Sequence, residues 1–145
     1  MEYAVTCCLS ELSAAVNQLY GYEGEIPRIN YGPCGVFAWL FYQEWNARFT
    51  QKVHICFIMT TDGSECDHIC IALPDGSLYD GGIGIHERAL YQGFVIEDML
   101  SFDHARLETW SYGLDRTYPR FCPDFNRDAV HAVIIEYLQK LERAL

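Results

Sequence analysis

Residues 66–80 read CDHICIALPDGSLYD, two apolar runs joined across Asp75-Gly76, a strong turn dipeptide. HICIAL (68–73) and SLYDGGIGI (77–85) are therefore expected to pair as a β-hairpin. Upstream, VHICFIMT (53–60) reads as a buried strand, separated from the hairpin by the turn TDGSECD (61–67). Before it, CGVFAWLFYQEWNARF (34–49) is a helix, apolar on most sides through Phe41, with polar residues in its second half. GYEGEIPRINYGPCG (21–35) is punctuated by glycine and proline as a loop, and Val5, Leu9, Leu12, Val16 and Leu19 space a helix over 3–20. Downstream, 86–101 is expected to be helical and 102–123 irregular, with two prolines. DFNRDAVHAVIIEYLQKLERAL (124–145) closes the chain as an amphipathic helix with Asp124 or Asn126 as N-cap. Helices ahead of an antiparallel sheet, followed by more helix, predict an α+β fold.

The chain has 145 residues, expected to form a single domain over 1–145, and is 50% hydrophobic, enough for a packed core. Ten Lys+Arg against 20 Asp+Glu leave a net charge of -10. Such a surface repels phosphate backbones and anionic lipid, so nucleic acid and membrane are poor partners and a basic protein or peptide is a better one. The seven cysteines are an odd number and cannot all pair within one chain. The N-terminal stretch has no basic n-region, unbroken apolar run or cleavage site, and no run approaches a membrane span. A reducing cytoplasm is the expected compartment, and export without a cleaved signal is compatible with the same features.

Chemistry singles out one thiol. In NYGPCGVFAWLF (30–41), Cys34 stands where the loop ends and the helix begins. Free N–H groups and the helix dipole there favour thiolate over thiol, and the Cys34 N–H can donate to a developing oxyanion. Cys7, Cys8, Cys56 and Cys122 read as structural. Cys66, His68 and Cys70 suggest a metal site, but three donors in a row on one strand splay and do not wrap one ion. No second Cys/His cluster in the sequence completes four ligands, so no metal or cofactor is expected. His68 serves better as a base, with Asp80 after the turn to orient its ring. His54, His86, His104 and His131 show no evident partners in the sequence. Glu23, Glu25, Asp62, Glu65 and Asp67 fall in loops near the proposed centre and favour a cationic substrate.

GPCGVFAWLF (32–41) followed by DHICIALPDGSLYDGGIG (67–84) resembles the core of the papain-like thiol superfamily, in the style of its transglutaminase-like and arylamine N-acetyltransferase branches. The likeness covers residues 30–85, and LYDGGIG (78–84) echoes the acetyltransferases' aspartate-glycine segment. It implies a papain-like domain with Cys34 as nucleophile, His68 as base and acid, and Asp80 as orienter. The implied activity is acyl or amide chemistry through a thioester, with peptide hydrolysis leading and deamidation or acyl transfer as variants. A phage-encoded or injected bacterial effector fits by analogy. The rival is a non-catalytic acidic inhibitor or binding protein on the same scaffold. Two departures stand out. Arg28 replaces the oxyanion glutamine six residues before the cysteine, leaving Asn30 or Tyr31 as substitutes. A two-residue turn at 75–76 pairs Ala72 with Tyr79 and turns Asp80 away from His68. A three-residue loop at 75–77 pairs Ala72 with Asp80, on the face of His68 but about 13 Å from it along the strands.

Overall fold

Val5, Leu9, Leu12 and Val16 line up as one buried stripe on the first helix, α1 (Tyr3–Tyr20). The second, α2 (Cys34–Arg48), buries Val36, Phe37, Ala38, Leu40, Phe41 and Trp45 on several sides, because it lies between other helices and the sheet. The structure is a computed structural model describing residues 1–111, 122 and 124–145. The remaining elements are β1 (Tyr22–Glu23), β2 (Ile26–Pro27), β3 (His54–Met59), β4 (Cys66–Ala72), β5 (Leu78–Asp80), β6 (Gly84–His86), β7 (Val95–Met99), α3 (His104–Ser111) and α4 (Arg127–Ala144). Among the described residues these make four α-helices, a two-stranded ribbon and a five-stranded antiparallel sheet ordered β6-β5-β4-β3-β7. The fold is α+β.

Alternation along the strands divides the sheet into two faces. Ile55, Phe57, Met59, Ile69, Ile71 and Tyr79 join the helices in the main core. Cys56, Ile58, Cys70, Ala72 and Leu78 form a smaller cluster on the opposite face, covered by Tyr91 and Ile96.

Three expected elements differ from the structure. SLYDGGIGI is not one strand: it turns back after Asp80, so β5 and β6 form a second hairpin through Asp80↔Gly84. The helix expected over 86–101 is a short 3-10 turn, Arg88–Tyr91, followed by the edge strand β7. Gly93 at φ 89° breaks any helix there, and Val95 and Ile96 suit the strand that satisfies the free edge of β3. Within 102–123, α3 was hidden because its cap lies outside the apolar pattern. Asp103 accepts the Arg106 N–H at 3.1 Å and its carbonyl accepts that of Leu107. The rest of that stretch, 112–121 and 123, lies outside the described residues. Of the two caps offered for the last helix, Asn126 serves, accepting the Ala129 N–H at 3.1 Å. Among the described residues no helix is long and apolar enough to cross a membrane.

Candidate active site

The hairpin register decides how the site closes. Leu73–Gly76 is a turn in which the Gly76 N–H reaches the Leu73 carbonyl at 2.9 Å, with Pro74 and Asp75 in its centre. Gly76 takes φ 91°, and the Leu73 N–H pairs with the Ser77 carbonyl at 2.8 Å. This is a three-residue loop, 74–76, with Pro preset for the turn and Gly supplying the left-handed residue. Ala72 therefore pairs with Leu78 and Ile71 with Tyr79. Both sequence-derived registers are corrected: His68 and Asp80 share a face and are offset by only two residues. Their side chains span that offset, with His68 Nε2 at 2.8 Å from Asp80 Oδ2.

The β4–β5 ladder stops at Ile71↔Tyr79, since the chain turns away at Gly81-Gly82. Both glycines sit where a side chain has no room. A Cβ on Gly81 would lie 2.9 Å from the Phe37 ring, and one on Gly82 would lie 2.6 Å from the Asn30 amide and 2.7 Å from Pro27. Cys34 meets β4 on the stretch beyond the ladder. It lines one cleft with His68 and Ile69, and the His68 ring and the Ile69 N–H both bear on its sulfur. With Nε2 taken by Asp80, Nδ1 is the ring atom left for the sulfur. Cys34 opens α2 with no side-chain cap on that helix start, and the first backbone bond there runs from Phe37 to Pro33 at 3.0 Å. The Cys34 N–H thus remains available near the sulfur.

The electrostatics follow from this contact. Burial pushes the Cys34 thiol up, but the His68 charge, its hydrogen bond and the Ile69 N–H outweigh burial and lower it below 9.0. Burial likewise opposes the His68 cation. The Cys34 sulfur and Asp80 prevail, raising it from 6.5 to about 10. Asp80 is 1% exposed, and its tendency to rise on burial is overcome by His68 and the Ile83 N–H, which hold it below 3.8. Asp80 Oδ1 accepts Asn30 Nδ2 at 3.1 Å and the Gly82 and Ile83 amides at 2.9 and 2.6 Å. Asp80 thus favours a charged His68 and His68 in turn favours the Cys34 thiolate, with three donors on Asp80 Oδ1 and His68 on Oδ2.

Several sequence expectations land elsewhere. Asn30 is committed to Asp80 as its clamp, a role no local pattern signals, because Asn30 and Asp80 lie 50 residues apart. Arg28 stacks over Tyr20 and points its guanidinium at Cys122, away from the cleft. Tyr31 lines a cleft of about 270 Å³ beside Cys34 and His68, together with Gly32, Thr60, Glu65, Asp67 and Trp110. Of the five loop acids, Glu65 and Asp67 line this cleft, whereas Asp62 is engaged by Thr60 and Ser64. The aromatic residues of TWSYGLDRTYPRF (109–121) offered either a groove lining or cover for a small core, and Trp110 takes the first place, on this cleft.

The opening metal question is answered by register as well. An irregularity at β4 puts Cys66 with the helical core, while His68 and Cys70 face the other way, and the Cys66 thiol reaches the His68 carbonyl at 3.3 Å. Those three side chains do not converge. The four other histidines all have partners: His54 on Asp98, His86 on Gly84 and Tyr91, His104 on Glu108, and His131 on Glu44. All seven cysteines are free. Compared with protein-family models, curated proteins and solved structures, the chain matches none of them.

Proposed function

We propose that this chain is a papain-like cysteine enzyme acting on an acyl or amide bond, with peptide hydrolysis as its reaction. One observation carries the reading: Cys34, at an uncapped helix start, shares a cleft with His68, whose ring favours the Cys34 thiolate and whose Nε2 bonds Asp80 at 2.8 Å. In that frame the Cys34 thiolate attacks a carbonyl carbon, forming a C–S bond while the carbonyl electrons move to oxygen. The Cys34 N–H donates to that oxyanion. The imidazolium gives its proton to the leaving nitrogen, the C–N bond breaks, and a thioester remains on Cys34. Neutral His68 then takes a proton from water, whose oxygen attacks the thioester, and the thiolate leaves with the acid released. Asp80, held by Asn30, keeps the ring oriented throughout. An amine in place of water gives acyl transfer with the same residues, and a glutamine side chain in place of the peptide bond gives deamidation.

The test is alkylation by iodoacetamide at pH 6, read by peptide mass mapping. An ordinary thiol is about one part in a thousand thiolate there. Cys34 should label at least about tenfold faster than the other six cysteines, and His68→Ala should abolish the difference. Labelling of Cys34 indistinguishable from the rest would reject the enzyme in favour of an acidic binding protein.

A further inference from the structure

On the face of the sheet away from the helices, a second group of chemistry-bearing residues converges. His54 and Cys56 are two apart on β3 and project together, and Asp98 on β7 is the direct register partner of Cys56. Their ligand atoms all lie within 4.8 Å of one another. Asp98 Oδ1 is 3.0 Å from His54 Nε2 and 2.8 Å from Cys56 Sγ. Donor atoms around one tetrahedral ion stand about 3.3–3.8 Å apart, given bonds of 2.0–2.3 Å. Cys66, His68 and Cys70 on β4 divide between the two faces of the sheet, but here the third donor comes from the neighbouring strand and closes a triangle.

We propose that His54, Cys56 and Asp98 form a binding site for a borderline divalent transition ion such as Zn2+, with one position open to solvent. The imidazole–thiolate–carboxylate set matches that class of ion, not calcium or magnesium. Cys56 is fully buried and forms the floor, whereas the His54 and Asp98 side chains are 32% and 29% exposed and form the rim through which the ion and a water enter. Arg88 supplies the outer support. Its two terminal nitrogens contact Asp98 Oδ2 at 3.2 Å and Oδ1 at 3.0 Å, fixing the carboxylate with Oδ1 toward His54 and Cys56. On binding, Cys56 gives its thiol proton to solvent, and the His54 proton moves to Nδ1 so that Nε2 ligates. Arg88 retains Oδ2 as Oδ1 turns to the ion. The site is independent of Cys34, His68 and Asp80.

Cobalt titration of the full chain tests it, because Co2+ reports both tetrahedral geometry and thiolate ligation in its spectrum. One equivalent should give d–d absorption and a sulfur-to-cobalt charge-transfer band, in the unmodified chain and equally in Cys34→Ala, and Zn2+ should displace it. Cys56→Ser should remove the charge-transfer band. His54→Ala changes a partly exposed residue, should keep the far-ultraviolet circular dichroism, and should weaken Co2+ binding at least about tenfold. Arg88→Gln should weaken it by about the same factor. A charge-transfer band lost in Cys34→Ala but kept in Cys56→Ser would put the ion in the cleft and overturn the proposal. So would unaltered affinity in His54→Ala, or no bound Co2+ or Zn2+ in a large excess of ion.

Discussion

At Cys34 and His68 the folded and unfolded chains place one proton differently. Unfolded, the thiol titrates near 9.0 and the imidazole near 6.5; folded, the thiol is lowered and the imidazole rises to about 10. The raised imidazole contributes stability in full below 6.5 and loses it as pH rises toward 10. The lowered thiol does the reverse, contributing in full above 9.0 and losing it as pH falls toward its folded value. From the folded thiol's lowered value up to 9.0 the two slopes oppose each other and, above 6.5, cancel, because each state then holds one proton on the pair. Urea-unfolding free energies of the unmodified chain minus those of Cys34→Ala/His68→Ala should therefore be level over the upper part of that interval, approaching 9.0, and decline above it. A difference that climbs steadily through it would mean the pair is not ionised in the fold. The same scale holds a second prediction, at Gly82. Its Cβ would strike Asn30 and the rigid Pro27 ring, so Gly82→Ala should destabilise the chain by about 1–3 kcal/mol and loosen the Asn30 grip on Asp80. Slower iodoacetamide labelling of Cys34 at pH 6 in that variant, together with a lower unfolding midpoint, checks both effects.

At the scale of elements, the loop 74–76 sets the spacing of His68 and Asp80. Deleting Pro74 leaves Asp75-Gly76 as a two-residue turn between Leu73 and Ser77, which already pair, so Ala72↔Leu78 is kept and no β5 side chain changes face. The deletion should keep Asp80 on His68, with a folded far-ultraviolet spectrum and rapid Cys34 labelling at pH 6, whereas labelling like that of an ordinary thiol would show that the strands had slipped. Gly76→Ala keeps the register but forces φ 91° on a residue with a Cβ, at about 1–2 kcal/mol. It should lower the unfolding midpoint and leave labelling intact. This loop also shows what was legible. Asp75-Gly76 announced a turn, but the register depended on counting Pro74 into the loop, a choice governed by turn geometry that apolar alternation does not report. The helix starts at Cys34 and after Asn126 were readable from local punctuation. β7 was not, because it is a strand through pairing with β3, a contact between residues about 40 apart that overrides local preference. Asn30, expected as an oxyanion donor, was likewise not readable as the clamp of Asp80, a role defined solely by what it holds. The His54–Cys56–Asp98 group needed the same β3–β7 pairing before it could be seen.

At the scale of the molecule, the candidate centre sits where two layers meet. Cys34 comes from the helical side, His68 and Asp80 from the thinner face under Tyr91, and they join at the stretch of β4 that β5 leaves uncovered. The cleft at this seam opens into the field of a chain carrying net charge -10, with Glu65 and Asp67 on its lining and no lysine or arginine among the described residues there. On the proposed function, that field should draw in a peptide with arginine or lysine beside the reacting carbonyl more than a neutral one. Each exposed ion pair is worth about 0.2–1 kcal/mol, so the double reversal Glu65→Lys/Asp67→Lys should lower kcat/KM for an arginine-containing peptide by roughly 2- to 30-fold. The change should fall on KM, because neither carboxylate touches the reacting atoms, and kcat for a neutral peptide should stay within about twofold. Added salt should act alike, since the screening length shrinks from about 30 Å at 0.01 M to about 3 Å at 1 M. Rates with the arginine peptide at low and high salt, compared with those for its neutral analogue, distinguish the two cases. Equal salt dependence for both peptides would show that the acidic lining selects nothing and that the charge serves only to keep the surface solvated.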